Sequence, residues 1–545
     1  MNKNVVSSLI VPLRDRSPHI GLYLYDRRGQ ANFVSYQALY QHICRAMCEF
    51  RAIGIRPGSR VILPFSTSIE SITAFFALIG MKALPFSVKL PISGGSHDEY
   101  CELLQGLIRR FGCVAIVTTK AMPIRLEGVV QVQVSTASLD HRADVEGIEW
   151  ANPAPEDIAF VQFSSGTTGQ QKGVPIRHGQ LIRQLELILS QDDRSSSDVG
   201  ASWLPLYHDM GLVGSLLSTM LAGHSLHLDS PAGFLMDPLA WLASLSTHRV
   251  SITALPNFSM SYLLKRLGEA DADELSGCRF DALRRIYVGS DVIDASVVSR
   301  LTQLLQPLGL SDKAITPCYG MAEAVLMVSC KPANDTVHLS SIEGRRDVVS
   351  VGTVLPEFEV RILVEGNRQG GSGEEGEILI RGGTLAYGYF EDERAMIDAD
   401  GFYHSGDIGY LQDGHLFISG RIGERIKING ENHFLPYLEN TIQSHPGLRP
   451  GGVAMIQSGK KLIVLAEPKA VSTVAELGTL RSELSTLLMA KTGIKVPREQ
   501  IFLVRRGQLK RTSSGKLQRS LICQTFERQG FKAILNESGA DNRCS

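Results

Sequence analysis

Apolar residues recur along the first part of this chain at two alternating periods. Leu39, Ile43, Met47 and Phe50 fall on one helical face behind Ser35, which is placed to cap the helix. Gly54 and Pro57-Gly58 end it, and the continuous apolar run 61–65 reads as a buried strand. Ser68 opens a second apolar helix through Ile72, Phe75, Phe76 and Ile79. The rhythm predicts further strands at 114–118, 158–163, 286–288 and 315–317. Strands alternating with helices predict an α/β body built on a largely parallel sheet. The pattern changes near Val351. Strands at 360–364 and 376–381 surround Gly370, Gly371 and Gly373, and short runs at 410–411 and 415–418 flank the hairpin pair Asp413-Gly414. This predicts a small β-rich subdomain over about 350–420. Further on, runs at 453–457 and 462–466 flank Ser458-Gly459, with a helix at 474–490 and a strand at 500–504. The expected architecture is an α/β body, 1–420, of mixed subdomains followed by a mobile α+β C-terminal domain, 421–545, with the boundary near 420–424.

Composition narrows this picture. The 545 residues hold 43% hydrophobic and 20% charged side chains, which excludes a mainly disordered chain. With 55 basic and 56 acidic residues the net charge is −1, so a wholly basic nucleic-acid binder is excluded too. The balance is uneven: 421–545 carries 20 Lys and Arg against 10 Asp and Glu. Charge alone leaves two readings open, a tail that handles an anion or a solvated basic surface. The nine cysteines include no CxxC pair, and their spacing implies neither a disulfide framework nor a zinc site. Cys44 and Cys48, four apart on a helix, read as core thiols, and a reducing, cytoplasmic setting fits. The stretch 5–13 is broken by Ser7, Ser8 and Pro12 and does not read as a signal peptide. Residues 210–228 lack charge but hold His224, His227 and three glycines, which predicts a buried helix followed by a strand, with no membrane span.

The strongest local signal is the run 163–173, FSSGTTGQQKG. It follows a strand and, by the pattern, precedes a helix at 180–189. Gly166 and Gly169 let backbone N–H groups close on phosphate oxygens, Ser164, Ser165, Thr167 and Thr168 add hydroxyls, and Lys172 adds charge. Gly166 and Lys172 do not satisfy the GxxxxGK spacing of a Walker loop. Taken alone the run is a plain turn or a phosphate loop.

This loop resembles the signature of the adenylate-forming superfamily of acyl-CoA synthetases, luciferases and peptide-synthetase adenylation domains. The resemblance extends over roughly residues 30–525, with further motifs in the family's order. Tyr319-Gly320-Met321-Ala322-Glu323 resembles the motif whose Glu binds Mg²⁺ and whose aromatic residue lies by adenine. Residues 403–407, ending in Asp407, resemble the motif holding the ribose hydroxyls, and Gly420-Arg421 the ribose-contacting Arg at the hinge, with Glu424 as hinge acid. Residues 512–519 resemble the motif carrying the catalytic Lys, here Lys516. Singly, Glu323 is a helix-start acid, Asp407 a turn residue, Arg421 a surface cation and Lys516 a solvated lysine. Together they supply the parts of one reaction, ATP-dependent carboxylate activation. The resemblance implies ATP as cosubstrate and Mg²⁺ held by Glu323 and Thr168.

Four segments are similar to fatty acyl-AMP ligases in particular: Trp203-Leu-Pro-Leu-Tyr-His-Asp-Met-Gly-Leu-Val-Gly214, Pro256-Asn-Phe258, Tyr319-Gly-Met-Ala-Glu-Ala324 and Thr512-Ser-Ser-Gly-Lys-Leu-Gln-Arg519. This implies a fatty acid substrate, His208 at the carboxylate pocket, and an acyl carrier protein with a phosphopantetheine arm as acceptor. The alternatives are transfer to CoA, amino-acid adenylation and a non-catalytic sensor. The polar stretch 331–350 lies where that subfamily carries an insertion. The sequence departs from the family at Gln171, at Gly423 in the hinge, and at Gly289-Ser290-Asp291, where adenine or acyl contacts are expected.

Overall fold

The computed structural model describes residues 3–531 outside 27, 92–96, 120–125, 136–146, 165–171, 193, 270–274, 341–346, 367, 393, 429–430, 444, 460, 470–472, 512–516 and 529–530. The chain divides into two compact units. One comprises Met1–Ser164, Gly173–Ser405 and Tyr410–Ile418; the other holds Gly406–Gly409 and Ser419–Ser545.

The first unit contains two sheets. One has the order 130–133, 115–118, 60–64, 84–88, 158–164, 172–177, and its strands through 158–164 pair in parallel. The other is parallel from Gly21–Tyr25 across Ser225–Leu228, Val199–Ser202, Ile252–Ala254 and Arg285–Val288 to Ile315–Gly320. There it turns antiparallel through Met327–Cys330 and Val348–Val354, and the strands of 350–420 continue this same sheet. The β-rich stretch is therefore hydrogen-bonded into the body's larger sheet through Ile315–Gly320. Helix Ile69–Gly80 has every residue but Glu70 buried, as its apolar run requires. Ser35 and Ser68 accept the capping N–H bonds of Ala38 and Ser71.

Asp413 and Gly414 both take positive φ, 50° and 79°, the primed-turn geometry that joins Tyr403–Gln412 to His415–Arg421. Cys44 is buried, but Cys48 is exposed, which corrects its reading as a core thiol. Four helical residues overshoot a full turn by about 40°, enough to carry Cys48 off the face of Leu39, Ile43 and Met47. All eight described cysteines are free thiols. No helix among the described residues is long and apolar enough to cross a membrane.

The second unit is built on a three-stranded sheet, Leu448–Ser458, Lys461–Pro468 and Ile501–Leu503. Alternate residues serve its two faces. Val453, Met455, Leu462 and Val464 pack with Leu438, Leu480 and Leu484, whereas Ala454, Ile456, Ile463 and Leu465 pack with Leu509 and Ile522.

Candidate active site

Strand Ile315–Gly320 delivers Tyr319 and Gly320 to a turn that no side chain at 320 would permit. A Cβ there would lie 1.7 Å from the Leu326 carbonyl oxygen, and the register against Met327–Cys330 slips between Tyr319 and Gly320. The Met321 N–H donates to Leu326 O at 2.8 Å, Ala322 is buried, and Val325 is held at φ +68°, an uncommon conformation for a β-branched residue. This folded-back turn buries Glu323. Its Oε1 accepts a hydrogen bond from the Tyr389 hydroxyl at 3.0 Å, and that hydroxyl lies 3.4 Å from the Tyr403 hydroxyl. The Ala386 N–H donates to the Glu323 carbonyl at 2.8 Å. Burial and then the Glu323 charge raise the Tyr389 pKa, which keeps its hydroxyl a donor. Helix His178–Ser190 braces the turn with a buried polar face. Gln184 donates to Met327 O at 3.0 Å and Gln180 to Leu385 O at 2.6 Å, while Thr384 donates to Gln184 Oε1 at 3.1 Å.

A second group of residues comes from 203–214. Trp203 stacks on Phe234 with ring centroids 4.0 Å apart and meets Phe258 edge-on at 5.9 Å. His208 Nδ1 lies 2.7 Å from Asp209 Oδ1. Asp209 accepts the Met210 N–H at 2.7 Å and so caps a π-helical run, Met210–Leu217, a wide winding that recurs at functional sites. Gly211 sits where a Cβ would fall 2.4 Å from Pro205 O, which lets this turn close. Ser290 adopts φ +72° and points its hydroxyl at Met210 Sδ, 3.3 Å away. A Cβ at Gly289 would lie 3.0 Å from Cys318 O. The 289–290 turn is thus wedged between the start of the π-helical run and the strand that carries Tyr319.

Strand Ile158–Ser164 positions Ser164, and Lys172 opens strand Lys172–Arg177, its neighbour at the edge of the sheet. Helix His178–Ser190 begins only after that strand. In chain order a strand, which the pattern did not predict, therefore separates the loop from the expected helix. Pro175 hid the strand in the sequence, since proline lacks the N–H of a ladder and is best tolerated at a sheet edge, where this strand lies. Ser165, Gly166, Thr167, Thr168 and Gly169 lie outside the described residues.

In the second unit, Asp407 is buried and its Oδ1 accepts from Arg421 Nε at 2.7 Å. Glu424 accepts from Arg519 Nε at 3.2 Å. Arg519 also donates to both oxygens of buried Glu439, one at 2.7 Å, and to Met455 O at 2.9 Å. Burial opposes the Arg519 charge, but Glu439 and Glu424 outweigh it and raise its pKa. Lys516 lies outside the described residues. Tyr389 and Arg519 are the side chains that motif reading missed. Arg519 stood in view as the last residue of 512–519, whereas Tyr389 carried no local signal.

Residues 18–390 match the family of AMP-binding enzymes. The chain belongs to that family. Residues 423–536 match the AMP domain of Disco-interacting protein 2-like proteins. The chain is 27% identical to the long-chain-fatty-acid–AMP ligase FadD26 of Mycobacterium marinum, over 97% of this chain and 98% of that one. It is also 27% identical to the medium-chain-fatty-acid–[acyl-carrier-protein] ligase JamA of Moorena producens, over 95% of each. A structure from a study of fatty acyl-adenylate ligases of E. coli and L. pneumophila superposes with a TM-score of 0.87 at 27% identity, covering 96% of this chain and 98% of that one.

Proposed function

We propose that this AMP-binding enzyme activates a fatty or related carboxylic acid as its acyl-AMP and passes the acyl group to the phosphopantetheine thiol of an acyl carrier protein, in the cytoplasm. The observation that carries the reading is end-to-end similarity to a fatty-acid–AMP ligase and to an acyl-carrier-protein ligase, covering 95% or more of this chain. In the first half-reaction a carboxylate oxygen bonds to the α-phosphorus of ATP, the bond from that phosphorus to the β-bridging oxygen breaks, and pyrophosphate leaves. In the second, the thiol sulfur attacks the acyl carbon, AMP leaves, and the thiol proton passes to solvent.

The residues divide this work. Ser164, Ser165, Gly166, Thr167, Thr168, Gly169 and Lys172 cradle the β- and γ-phosphates. Gly289, Ser290, Tyr319, Gly320, Met321 and Ala322 line the adenine side. Asp407 and Arg421 hold the ribose, and His208 faces the carboxylate. Glu323, whose carboxylate accepts a hydrogen bond from Tyr389, would hold Mg²⁺ together with Thr168. This oxygen-only donor set suits a hard cation, which commonly binds one or two carboxylates plus substrate phosphates. When bound, Mg²⁺ neutralises charge on the phosphates. Lys516 would bridge carboxylate and phosphate oxygens, where negative charge accumulates.

The test offers ATP, Mg²⁺ and a panel of carboxylic acids, then either CoA or a holo-carrier protein. Acyl-AMP formation with preferential acylation of the carrier is expected, and rapid acyl-CoA formation would overturn the acceptor assignment. Lys516→Ala should lower ATP–pyrophosphate exchange by a factor of ~10³ while nucleotide binding survives. Near-normal exchange in that variant would remove Lys516 from the mechanism.

A further inference from the structure

Away from the residues assigned to adenylation, the first unit gathers one carboxylate and two imidazoles. Asp335 and His338 stand three residues apart in the connection from strand Met327–Cys330 to strand Leu339–Ser340. His415 opens strand His415–Arg421, directly after the Asp413-Gly414 turn. His338 Nε2 lies 2.8 Å from Asp335 Oδ2, and the His338 and His415 ring centroids are 4.3 Å apart. One donor atom from each of the three residues lies within 4.8 Å of the other two.

Two further contacts hold these groups in place. The buried Lys331 ammonium donates to the carbonyls of Lys313 and Pro332, each at 3.1 Å, and of Asp335 at 2.5 Å, which ties down the backbone of the loop at Asp335. His415 Nδ1 lies 3.2 Å from Ser350 Oγ. A hydrogen bond to one ring nitrogen is the usual device for orienting an imidazole whose other nitrogen binds a metal. With Nδ1 so engaged, Nε2 is the nitrogen that His415 offers to a ligand.

We propose that Asp335, His338 and His415 bind a divalent transition metal of the Zn²⁺ class, clamping the 331–340 connection onto the start of strand His415–Arg421. Two imidazoles and a carboxylate are the donors that Zn²⁺ accepts and that Mg²⁺ does not favour, so this site is chemically distinct from the one at Glu323. Tetrahedral donors around Zn²⁺ stand about 3.4 Å apart. The spacing here, 2.8 Å for one pair and within 4.8 Å for the set, brackets that value. Three protein ligands leave the fourth position to water. No cysteine takes part, which is why cysteine spacing gave no sign of the site. Because the metal joins two segments distant in sequence, it stabilises the folded chain in proportion to its binding.

The experiment uses the full chain, free of any polyhistidine tag and stripped with chelator, titrated with Co²⁺ as a spectroscopic probe. One equivalent of Co²⁺ per chain should bind with the visible absorption of a four-coordinate ion, and Zn²⁺ should displace it. His338→Ala and Asp335→Asn should each weaken Co²⁺ binding at least tenfold. Zn²⁺ should raise the thermal midpoint of the parent chain and leave that of His338→Ala unmoved. His338 is partly exposed, so this variant retains the fold even if His415 substitutions do not. ATP–pyrophosphate exchange with Mg²⁺ should persist in both variants, which separates this site from the one at Glu323. Absence of the Co²⁺ absorption would overturn the proposal, as would a folded His338→Ala chain that titrates like the parent.

Discussion

Glu323, which we propose as the Mg²⁺ carboxylate, illustrates how a motif residue is set in place from outside its motif. A hydrogen bond from Tyr389, 66 residues further on, orients its carboxylate. Tyr389→Phe removes that donor and keeps the ring. Losing a hydrogen bond to a charged group costs ~1.5–3 kcal/mol, so adenylate formation should fall roughly 10- to 100-fold with little change in thermal midpoint. Unchanged exchange kinetics at limiting Mg²⁺ would show that the carboxylate needs no such support. Buried histidines give a second residue-scale prediction. Burial pushes the pKa of His178 and of His224 down from 6.5 to about 4. Unfolded, these rings take up a proton near pH 6.5; folded, they resist until about pH 4. In that window the unfolded chain holds more protons, so stability is lost as pH falls. At pH 5 the loss should be roughly 2 kcal/mol for each ring, measured as a lower urea midpoint than at pH 7.5. A midpoint unchanged between the two would contradict the burial of these rings.

Elements were legible in the sequence wherever their cause is local. Ser35 and Ser68 announce helices because a cap needs only the next three residues, and Asp413-Gly414 announces a hairpin because two positive φ angles make one. What fixes one element against another was not legible. Strand Arg285–Val288, which leads to Gly289 and Ser290, is anchored by a buried network. Arg285 donates to Asp192 Oδ1 at 2.5 Å, to Thr316 Oγ1 at 3.0 Å and to Gln191 O at 2.7 Å. Arg194 and Tyr287 donate to Asp192 Oδ2 at 3.0 and 2.5 Å. Nothing at Asp192 in the sequence points to a partner 93 residues away. Asp192→Asn leaves two buried guanidinium groups without their counter-charge. It should destabilise the first unit by about 3–5 kcal/mol, read from the urea unfolding curve. A cost below about 1 kcal/mol, typical of exposed pairs, would mean that water reaches the network.

For the whole molecule, the neutral total conceals an acidic body and a basic C-terminal portion, with 20 Lys and Arg against 10 Asp and Glu over 421–545. Some of that positive charge is committed internally: Arg421 to Asp407, and Arg519 to Glu424 and Glu439. These pairs stabilise the second unit and add little to its outward field. Arg505, Arg506 and Lys510 are different, exposed together on the connection that follows strand Ile501–Leu503. If the acyl acceptor is an acidic carrier protein, such a cluster accelerates its approach, and the effect weakens as salt screens it over about 8–10 Å. Reversing all three to Glu should slow acylation of the carrier at least tenfold at low salt, and the gap should narrow as ionic strength rises. ATP–pyrophosphate exchange, which needs no carrier, should be preserved. Reversing Lys461, Lys491 and Lys495, also exposed in this unit, provides the comparison at equal change in net charge. An equal loss from both triple variants would assign steering to overall charge and not to the 505–510 surface. No loss from either would return the basic excess to what charge alone permitted, a solvated surface with no part in choosing the acceptor.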